Sequence, residues 1–498
     1  MATRTRAQWQ AMADGLEIRS QAWINGEYTD AASGETFDCI SPVDGKLLTR
    51  VASCDEADVN RAVSAARSTF ESGAWARKSP AARKKILQAF ASKIDDHLEE
   101  LALLESIDMG KPINDALGDD IPSSANCIRW CAEAIDKIYD EVAPVGEDSL
   151  ALVTREAVGV VAAIVPWNFP LSMASWKLGP ALATGNSVIL KPSEKSPLTA
   201  IRVAELAEEA GLPKGVLQVL PGFGHTAGKA LALHPDVDCL AFTGSTKVAR
   251  QLMIYAGESN MKRVWLEAGG KSPHIVFADA PDLEKAASYA AMAIGYNQGE
   301  VCTAGSRLLV EASIHDEFIS LLKKHMETWR PGHPLDPETT SGAIVDDIQT
   351  RNVLRYIETG KQEGAKLVMG GSRVMEETGG YYIEPTVFDQ VDNQMAIAQE
   401  EIFGPVLSVI SFNDEEEAIR IANDTDYGLA AALWTSNLSR AHQVSRRLRA
   451  GSVFINNYHG GDMTVPFGGF KQSGNGRDKS LHAFDKYTEL KSTWIALD

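Results

Sequence analysis

Cysteine is scarce in this chain. The six (Cys39, Cys54, Cys127, Cys131, Cys239 and Cys302) are spread too widely over 498 residues for a disulfide scaffold. Free thiols in a reducing compartment are expected, hence a cytoplasmic location. Long apolar runs are also missing: Ala157 to Val165, the longest, falls far short of a bilayer span, and Met1 to Gly15 has no apolar stretch to serve as a signal peptide. Positive charge is in deficit, with 48 Lys and Arg against 67 Asp and Glu and a formal net charge of −19. A nucleic-acid backbone or an anionic membrane surface would therefore be repelled. No zinc-type spacing is present; Cys127 and Cys131, one helical turn apart, read as packing, and no metal is expected.

What is there is ordinary soluble composition and enough length for two or three packed units. From Val158 to Glu267 a short apolar run, a turn and an amphipathic stretch recur. Gly159 to Val165, Ser187 to Lys191, Val216 to Leu220, Cys239 to Thr243 and Arg263 to Glu267 read as strands with helices between them. Ser196-Pro197 has the form of a helix cap followed by proline, and Gly211 is placed to end that helix. This alternation predicts a parallel, doubly wound, Rossmann-type sheet with a ligand crevice beyond the strands' carboxyl ends. A second α/β region follows, with strands at Ser306 to Val310, Leu407 to Phe412 and Ser452 to Asn456 and helices at Ile314 to Thr328, Glu415 to Ala422 and Leu438 to Leu448. Asp55 to Leu104 reads as helical. Ala151 to Arg155 and Leu490 to Leu497 look like strands outside the alternation, suited to an arm that pairs between subunits.

Residues at the strand ends carry the chemistry. Cys302 lies in a polar, glycine-flanked segment, Gln298-Gly299-Glu300-Val301-Cys302-Thr303-Ala304-Gly305, unlike an inert core thiol. Glu267 ends an apolar strand, where a carboxylate must pair or hold its proton more tightly, as a general base does. Thiol nucleophile and carboxylate base are the roles read for the two. Asn168 could aim an amide donor at an oxyanion, or simply form a turn. Gly244-Ser245-Thr246 opens a helix after a strand, suiting a pyrophosphate or merely a serine cap. Lys191 and Glu194 could grip ribose hydroxyls or form a surface ion pair. Gly222-Phe223-Gly224 with Gly228 has its third glycine one residue late for a dinucleotide fingerprint. Phe169, Trp176 and Phe467 could wall a substrate channel or belong to the core.

Pro166-Trp167-Asn168-Phe169-Pro170, Lys191-Pro192-Ser193-Glu194, Phe242-Thr243-Gly244-Ser245-Thr246, Glu267-Ala268-Gly269-Gly270-Lys271-Ser272-Pro273, Cys302 and Glu401-Ile402-Phe403-Gly404-Pro405 follow one another in the order and spacing of the aldehyde dehydrogenase superfamily. From Ile24 onward the chain resembles that family throughout. The usual Glu-Leu-Gly-Gly reads Glu267-Ala268-Gly269-Gly270, and Val248-Ala249 stand where the family often has a glycine. The resemblance implies that Cys302 attacks the aldehyde, that Asn168 and the Cys302 backbone N–H hold the oxyanion, that hydride passes to NAD, and that Glu267 activates the water that hydrolyses the thioester. It implies NAD contacts from Ile164, Pro166, Trp167 and Gly224, with Lys191 and Glu194 at the adenosine ribose. Gly244 and Ser245 would meet the pyrophosphate, and Glu401 and Phe403 the nicotinamide ribose. NADP would be possible but less favoured. It further implies a cofactor domain (residues 20–141 and 161–267), a catalytic domain (268–479) and a small β oligomerisation arm (142–160 and 480–498), assembled as a tetramer, a dimer of dimers.

The stretch Gly461 to Ser480 is similar to the branch that oxidises polyamine-derived aldehydes, γ-glutamyl-γ-aminobutyraldehyde among them, often with broad specificity. Asp119, Asp120 and Asp462 would then form an acidic channel mouth favouring amino- or guanidino-aldehydes, unless they are ordinary surface acids on a strongly acidic protein. Two alternatives remain at this level: a CoA-acylating semialdehyde dehydrogenase, which has no need of Glu267, and a cysteine hydrolase without redox chemistry, which leaves the Lys191 to Glu194 loop unexplained.

Overall fold

The computed structural model describes residues 4–458 and 460–497. Its first sheet has seven strands in the order Arg263–Glu267, Cys239–Thr243, Val160–Ile164, Ser187–Lys191, Leu217–Val219, Ala22–Ile24 and Glu27–Thr29. The first five are parallel, as predicted, and the last two add an antiparallel edge. The unbroken apolar runs have a physical cause: both faces are covered. Val161 and Ala163 pack into one core, while Val160, Ala162 and Ile164 pack into another on the opposite face. Because Val160–Ile164 is central and the later strands lie on both sides of it, the topological switch falls between it and Cys239–Thr243.

The second sheet also has seven strands, in the order Lys366–Met369, Thr386–Asp389, Val406–Phe412, Arg307–Glu311, Pro273–Val276, Ala430–Trp434 and Ser452–Ile455. Three of its inner strands, Thr386–Asp389 among them, escape pattern reading. Pro273–Val276 is short and opens on a proline, which a strand's first residue tolerates. Ala430–Trp434 is rich in alanine, a helix former, yet lies wholly buried as a strand.

The two outlying strands exist and pair with each other within the chain. Thr488–Ala496 runs antiparallel to Ser149–Ala157, from Thr488 opposite Ala157 to Ala496 opposite Ser149, and Glu141–Ala143 completes a three-stranded sheet. Thr488–Ala496 is an edge strand that exposes Leu490, Trp494 and Ile495. One local expectation fails. Ser196 does not cap the helix Leu198–Glu209, because its hydroxyl donates to the Trp167 carbonyl (3.1 Å) and the Leu198 N–H is taken by the buried Asp108 carboxylate (2.9 Å). Gly211, at φ +97°, does follow that helix end. No helix among the described residues is long and apolar enough to cross a membrane.

Candidate active site

A cavity of about 260 Å³ opens at the switch point of the first sheet. Its floor comes from the residues following two neighbouring strands, Pro166-Trp167-Asn168 and Thr243-Gly244-Ser245. Glu267 to Gly269 and Cys302 line it too, and Glu401 to Phe403 close one side.

Five of the six cysteines are buried; Cys302 alone is partly exposed. The backbone leading to it is held in the left-handed region over three successive residues, Asn297, Gln298 and Gly299, a costly arrangement that surrounding structure must impose. Side chains do so. Asn297 donates to the Asn168 carbonyl (3.0 Å) and to the Glu300 carbonyl (3.2 Å), and Asn168 Nδ2 donates to that same Glu300 oxygen (2.7 Å). The amide of Asn168, 3% exposed, is thus fixed to the loop that carries the thiol, and its second N–H remains available in a residue that lines the cavity. Burial, and after it the carboxylates of Glu401 and Glu267, pushes the Cys302 thiol up to about 12.

Glu267 ends its strand 3% exposed, and neither carboxylate oxygen has a hydrogen-bond partner among the described residues. Burial and then the nearby Asp478 raise its pKa well above the carboxylate range, against the pull of Lys177, Lys486 and Arg477. A carboxyl group that is unpaired, raised in proton affinity and set in a cavity with a thiol can take a proton from water.

The two glycines after Glu267 have separate steric tasks. A methyl at Gly269 would overlap the Glu401 carboxylate, whereas one at Gly270 would lie 2.5 Å from the Cys302 carbonyl oxygen. Between them the chain slips under both groups, and the Gly270 N–H donates to Glu401 Oε1 (3.1 Å). Burial lifts Glu401 to about 7, opposed by this hydrogen bond and by Lys271.

Most of the expected cofactor residues lie at the strand ends of the first sheet, while Glu401 and Phe403 come from the segment leading into the second-sheet strand Val406–Phe412. Ser245 caps the helix Thr246–Glu258 by accepting from the Val248 N–H (3.4 Å), so the free amides and positive dipole end of a thirteen-residue helix meet the cavity. Phe403, at φ +56°, packs edge-on to Trp167 with ring centroids 5.1 Å apart. Ile164, Lys191, Glu194 and Gly224 stand outside the lining of the Cys302 cavity. Lys191 pairs in register with Ile164 on the adjacent strand, and its buried ammonium donates to the Pro192 carbonyl (2.9 Å) and meets Glu194 at 3.5 Å. Gly224 opens the turn Gly224–Gly228, and a methyl on its last glycine would lie 3.9 Å from the Lys191 side chain. A helix N-terminus, a half-exposed Glu194 and an apolar cleft beyond parallel strands suit the diphosphate, the ribose and the flat rings of a dinucleotide.

Residues 28–493 match the model of the aldehyde dehydrogenase family. The chain belongs to that family. It is 58% identical over 492 residues to the NADP/NAD-dependent aldehyde dehydrogenase PuuC of Escherichia coli (strain K12), covering 99% of each chain. Among solved structures, an indole-3-acetaldehyde dehydrogenase complexed with NAD+ is 70% identical with a TM-score of 0.99, over 99% of this chain and 100% of that one. The γ-glutamyl-γ-aminobutyraldehyde dehydrogenase of Burkholderia cenocepacia is 62% identical with a TM-score of 0.98 over the same shares.

In this aldehyde dehydrogenase the cavity continues past Cys302 between aromatic walls. Trp176 and Phe467, which meet at 5.0 Å, line it; Phe169, expected there too, is not among the lining residues and packs instead against the core and on Tyr296, at 6.2 Å. The Tyr296 hydroxyl donates to Asp119 (2.8 Å), which is exposed, as is Asp462. Asp120 departs from the expected acidic mouth. It is 1% exposed and ion-paired with the fully buried Lys111, because its turn, Ala116–Asp120, faces this side chain inward.

Sequence reading also missed a buried charge cluster. Asp478, which lines the cavity, is held between Lys177 (2.5 Å) and Lys486. Burial acts to raise its pKa, but the two ammonium groups outweigh that and hold it below the usual carboxylate value. Lys177 had left a signal: it is a single charge in the otherwise apolar and polar-neutral helix Pro170–Ala183, where an unpaired lysine would be expensive.

Proposed function

We propose that this enzyme oxidises amino-, guanidino- or γ-glutamylamino-aldehydes from polyamine breakdown to carboxylic acids, with broad specificity and NAD as acceptor. The observation that carries the chemistry is one cavity holding both a partly exposed thiol, Cys302, and an unpartnered carboxyl group, Glu267. The Cys302 sulfur adds to the aldehyde carbon, and the oxyanion is held by the free N–H of Asn168 and the Cys302 backbone N–H. Bound NAD supplies the hydride acceptor. The resulting thioester of Cys302 is hydrolysed by water that gives a proton to Glu267, which restores the thiol and releases the acid. Lys191 and Glu194 hold the adenosine ribose, Glu194 disfavouring the 2′-phosphate of NADP. Gly244 and Ser245 meet the pyrophosphate; Ile164, Pro166, Trp167 and Gly224 shape the cleft; Glu401 and Phe403 position the nicotinamide ribose.

The unpartnered Glu267 favours hydrolysis over transfer to CoA, and the dinucleotide edge leaves a non-redox hydrolase without support. A cofactor domain over 20–141 and 161–267, a catalytic domain over 268–479 and an arm over 142–160 and 480–498 are the division proposed, supported by the two seven-stranded sheets and the three-stranded one. The open edge and exposed apolar residues of Thr488–Ala496 suit pairing with a second copy, and a cytoplasmic homotetramer is the assembly proposed.

A second reading, an aryl-acetaldehyde, is favoured by the Trp176–Phe467 wall, and the indole-3-acetaldehyde enzyme at 70% identity points the same way. NADH formation over a panel of 4-aminobutanal, 4-guanidinobutanal, γ-glutamyl-4-aminobutanal, indole-3-acetaldehyde and straight-chain aldehydes, with NAD and without CoA, tests both. The highest kcat/KM among the nitrogen-bearing aliphatic aldehydes supports the polyamine reading. Preference for the indole substrate overturns it, and activity only with CoA overturns the role given to Glu267.

A further inference from the structure

The rim of the substrate end is built by two chain segments clasped together. Phe467 and Asp478 exchange backbone hydrogen bonds (2.8 and 2.7 Å), and the Ser480 N–H donates to the Met463 carbonyl (2.7 Å). Lys479 lies between these ties. Its backbone is in the left-handed region, φ +58°, as is that of Ser480, φ +51°; two non-glycine residues held this way mark a conformation imposed by the surrounding structure. The side chain is directed across the channel wall, with its ammonium 4.8 Å from the centroid of the Trp176 ring, and a methyl on Gly461 would lie 3.7 Å from that nitrogen.

Three formal charges therefore surround the mouth, Lys479 and the exposed Asp119 and Asp462. No carboxylate comes within ion-pair distance of Lys479 among the described residues, although burial of its ammonium lowers its pKa and the nearby acids act in the opposite sense. An aromatic face compensates a half-buried ammonium only in part. A carboxylate arriving there would gain a charge-assisted hydrogen bond without having to displace an existing partner.

We propose that Lys479 is a specificity residue that binds a carboxylate at the far end of the aldehyde. The same mouth that holds this cation offers Asp119 and Asp462 to an ammonium group, so an α-amino acid head, with both charges on one carbon, matches it better than a bare amine or guanidine. Within the polyamine reading, on which this rests for its natural substrate, the γ-glutamyl form is thereby preferred to free amino-aldehydes, which Lys479 repels.

The test compares the wild type with Lys479→Gln and Lys479→Arg on length-matched ω-oxo acids, alkanals and ω-amino aldehydes, together with γ-glutamyl-4-aminobutanal. The quantity read is the ratio of kcat/KM values between substrates, which a general loss of folded enzyme leaves unchanged. In the wild type the oxo acids should exceed the ω-amino aldehydes. Lys479→Gln should lower the ratio of oxo acid to alkanal by about ten-fold, through KM, and raise the ratio of amino aldehyde to alkanal; Lys479→Arg should restore most of the first ratio. Ratios unmoved by Lys479→Gln would overturn the assignment, even if γ-glutamyl-4-aminobutanal remained a good substrate. If the oxo-acid preference vanished in Lys479→Gln while the wild type ignored γ-glutamyl-4-aminobutanal, Lys479 would stand and the polyamine reading would fall.

Discussion

Replacing Gly269 by alanine isolates one contact of the Glu401 carboxylate, the group proposed to hold the nicotinamide ribose. Gly269 does not have a positive φ, so the added methyl introduces little backbone strain; its effect is steric. The methyl would occupy the space of the Glu401 carboxylate, which must swing away and give up the hydrogen bond from the Gly270 N–H, 3.1 Å long. A hydrogen bond to a charged group contributes about 1.5–3 kcal/mol. If Glu401 holds the nicotinamide ribose, NAD affinity should fall roughly ten- to one hundred-fold. Titration of NAD by calorimetry measures this directly, and the alkylation rate of Cys302 serves as a second readout, since the atoms nearest the added methyl all belong to the Glu401 carboxylate. Gly270→Ala should give the converse pattern, because its methyl presses on the Cys302 carbonyl oxygen at 2.5 Å: altered alkylation and kcat, with a smaller change in NAD affinity. NAD affinity within two-fold of wild type in Gly269→Ala would refute the placement of Glu401. Identical behaviour of the two variants would refute the division of labour between the glycines.

Other outcomes are expected together. Cys302→Ala should abolish turnover and keep NAD binding; alkylation of the wild-type thiol in the free enzyme should climb steadily with pH, without a plateau near neutrality, since Cys302 is raised to about 12. Glu267→Gln should give a burst of NADH followed by slow steady turnover in stopped-flow absorbance, and an unchanged steady rate would remove Glu267 as the base. Asp478 has a lowered pKa in the folded state, so its stabilising pairs with Lys177 and Lys486 are complete above the ordinary aspartate value and are lost as pH falls through the lower, folded one. Asp478→Asn, which strands two buried ammonium groups, should cost about 3–5 kcal/mol at neutral pH. The gap in melting temperature between the two proteins should narrow as pH falls below the ordinary aspartate value.

Much of this arrangement is legible in the order of the amino acids. Val160–Ile164, Ser187–Lys191 and Cys239–Thr243 declare themselves because burial on both faces forces largely apolar runs with turn residues between them, and the edge strand Arg263–Glu267 is read from its place in the same alternation. Cys302 and Glu267 stand out since a polar, glycine-flanked thiol and a charge ending an apolar strand both need a reason. What stayed hidden depends on partners distant in sequence. Nothing near Asp120 reveals that Lys111 draws it inside, so it reads like its exposed neighbour Asp119. Thr488–Ala496 and Ser149–Ala157 each look like a strand, but nothing local says that they pair with each other. Ala430–Trp434 has helical propensity and becomes a strand because the sheet buries it on both faces.

The Asp478 cluster also bears on how this protein can be handled. Lys486 stands two residues before the strand Thr488–Ala496, and it grips an aspartate in the cavity wall. A truncation reaching back into this region would remove a counter-ion from the catalytic interior along with an outer strand, and a bulky fusion placed after that strand would load the same short lever. Affinity tags therefore belong at the amino end, ahead of the helix Arg6–Asp14, which contributes no side chain to the ion pairs of that cluster.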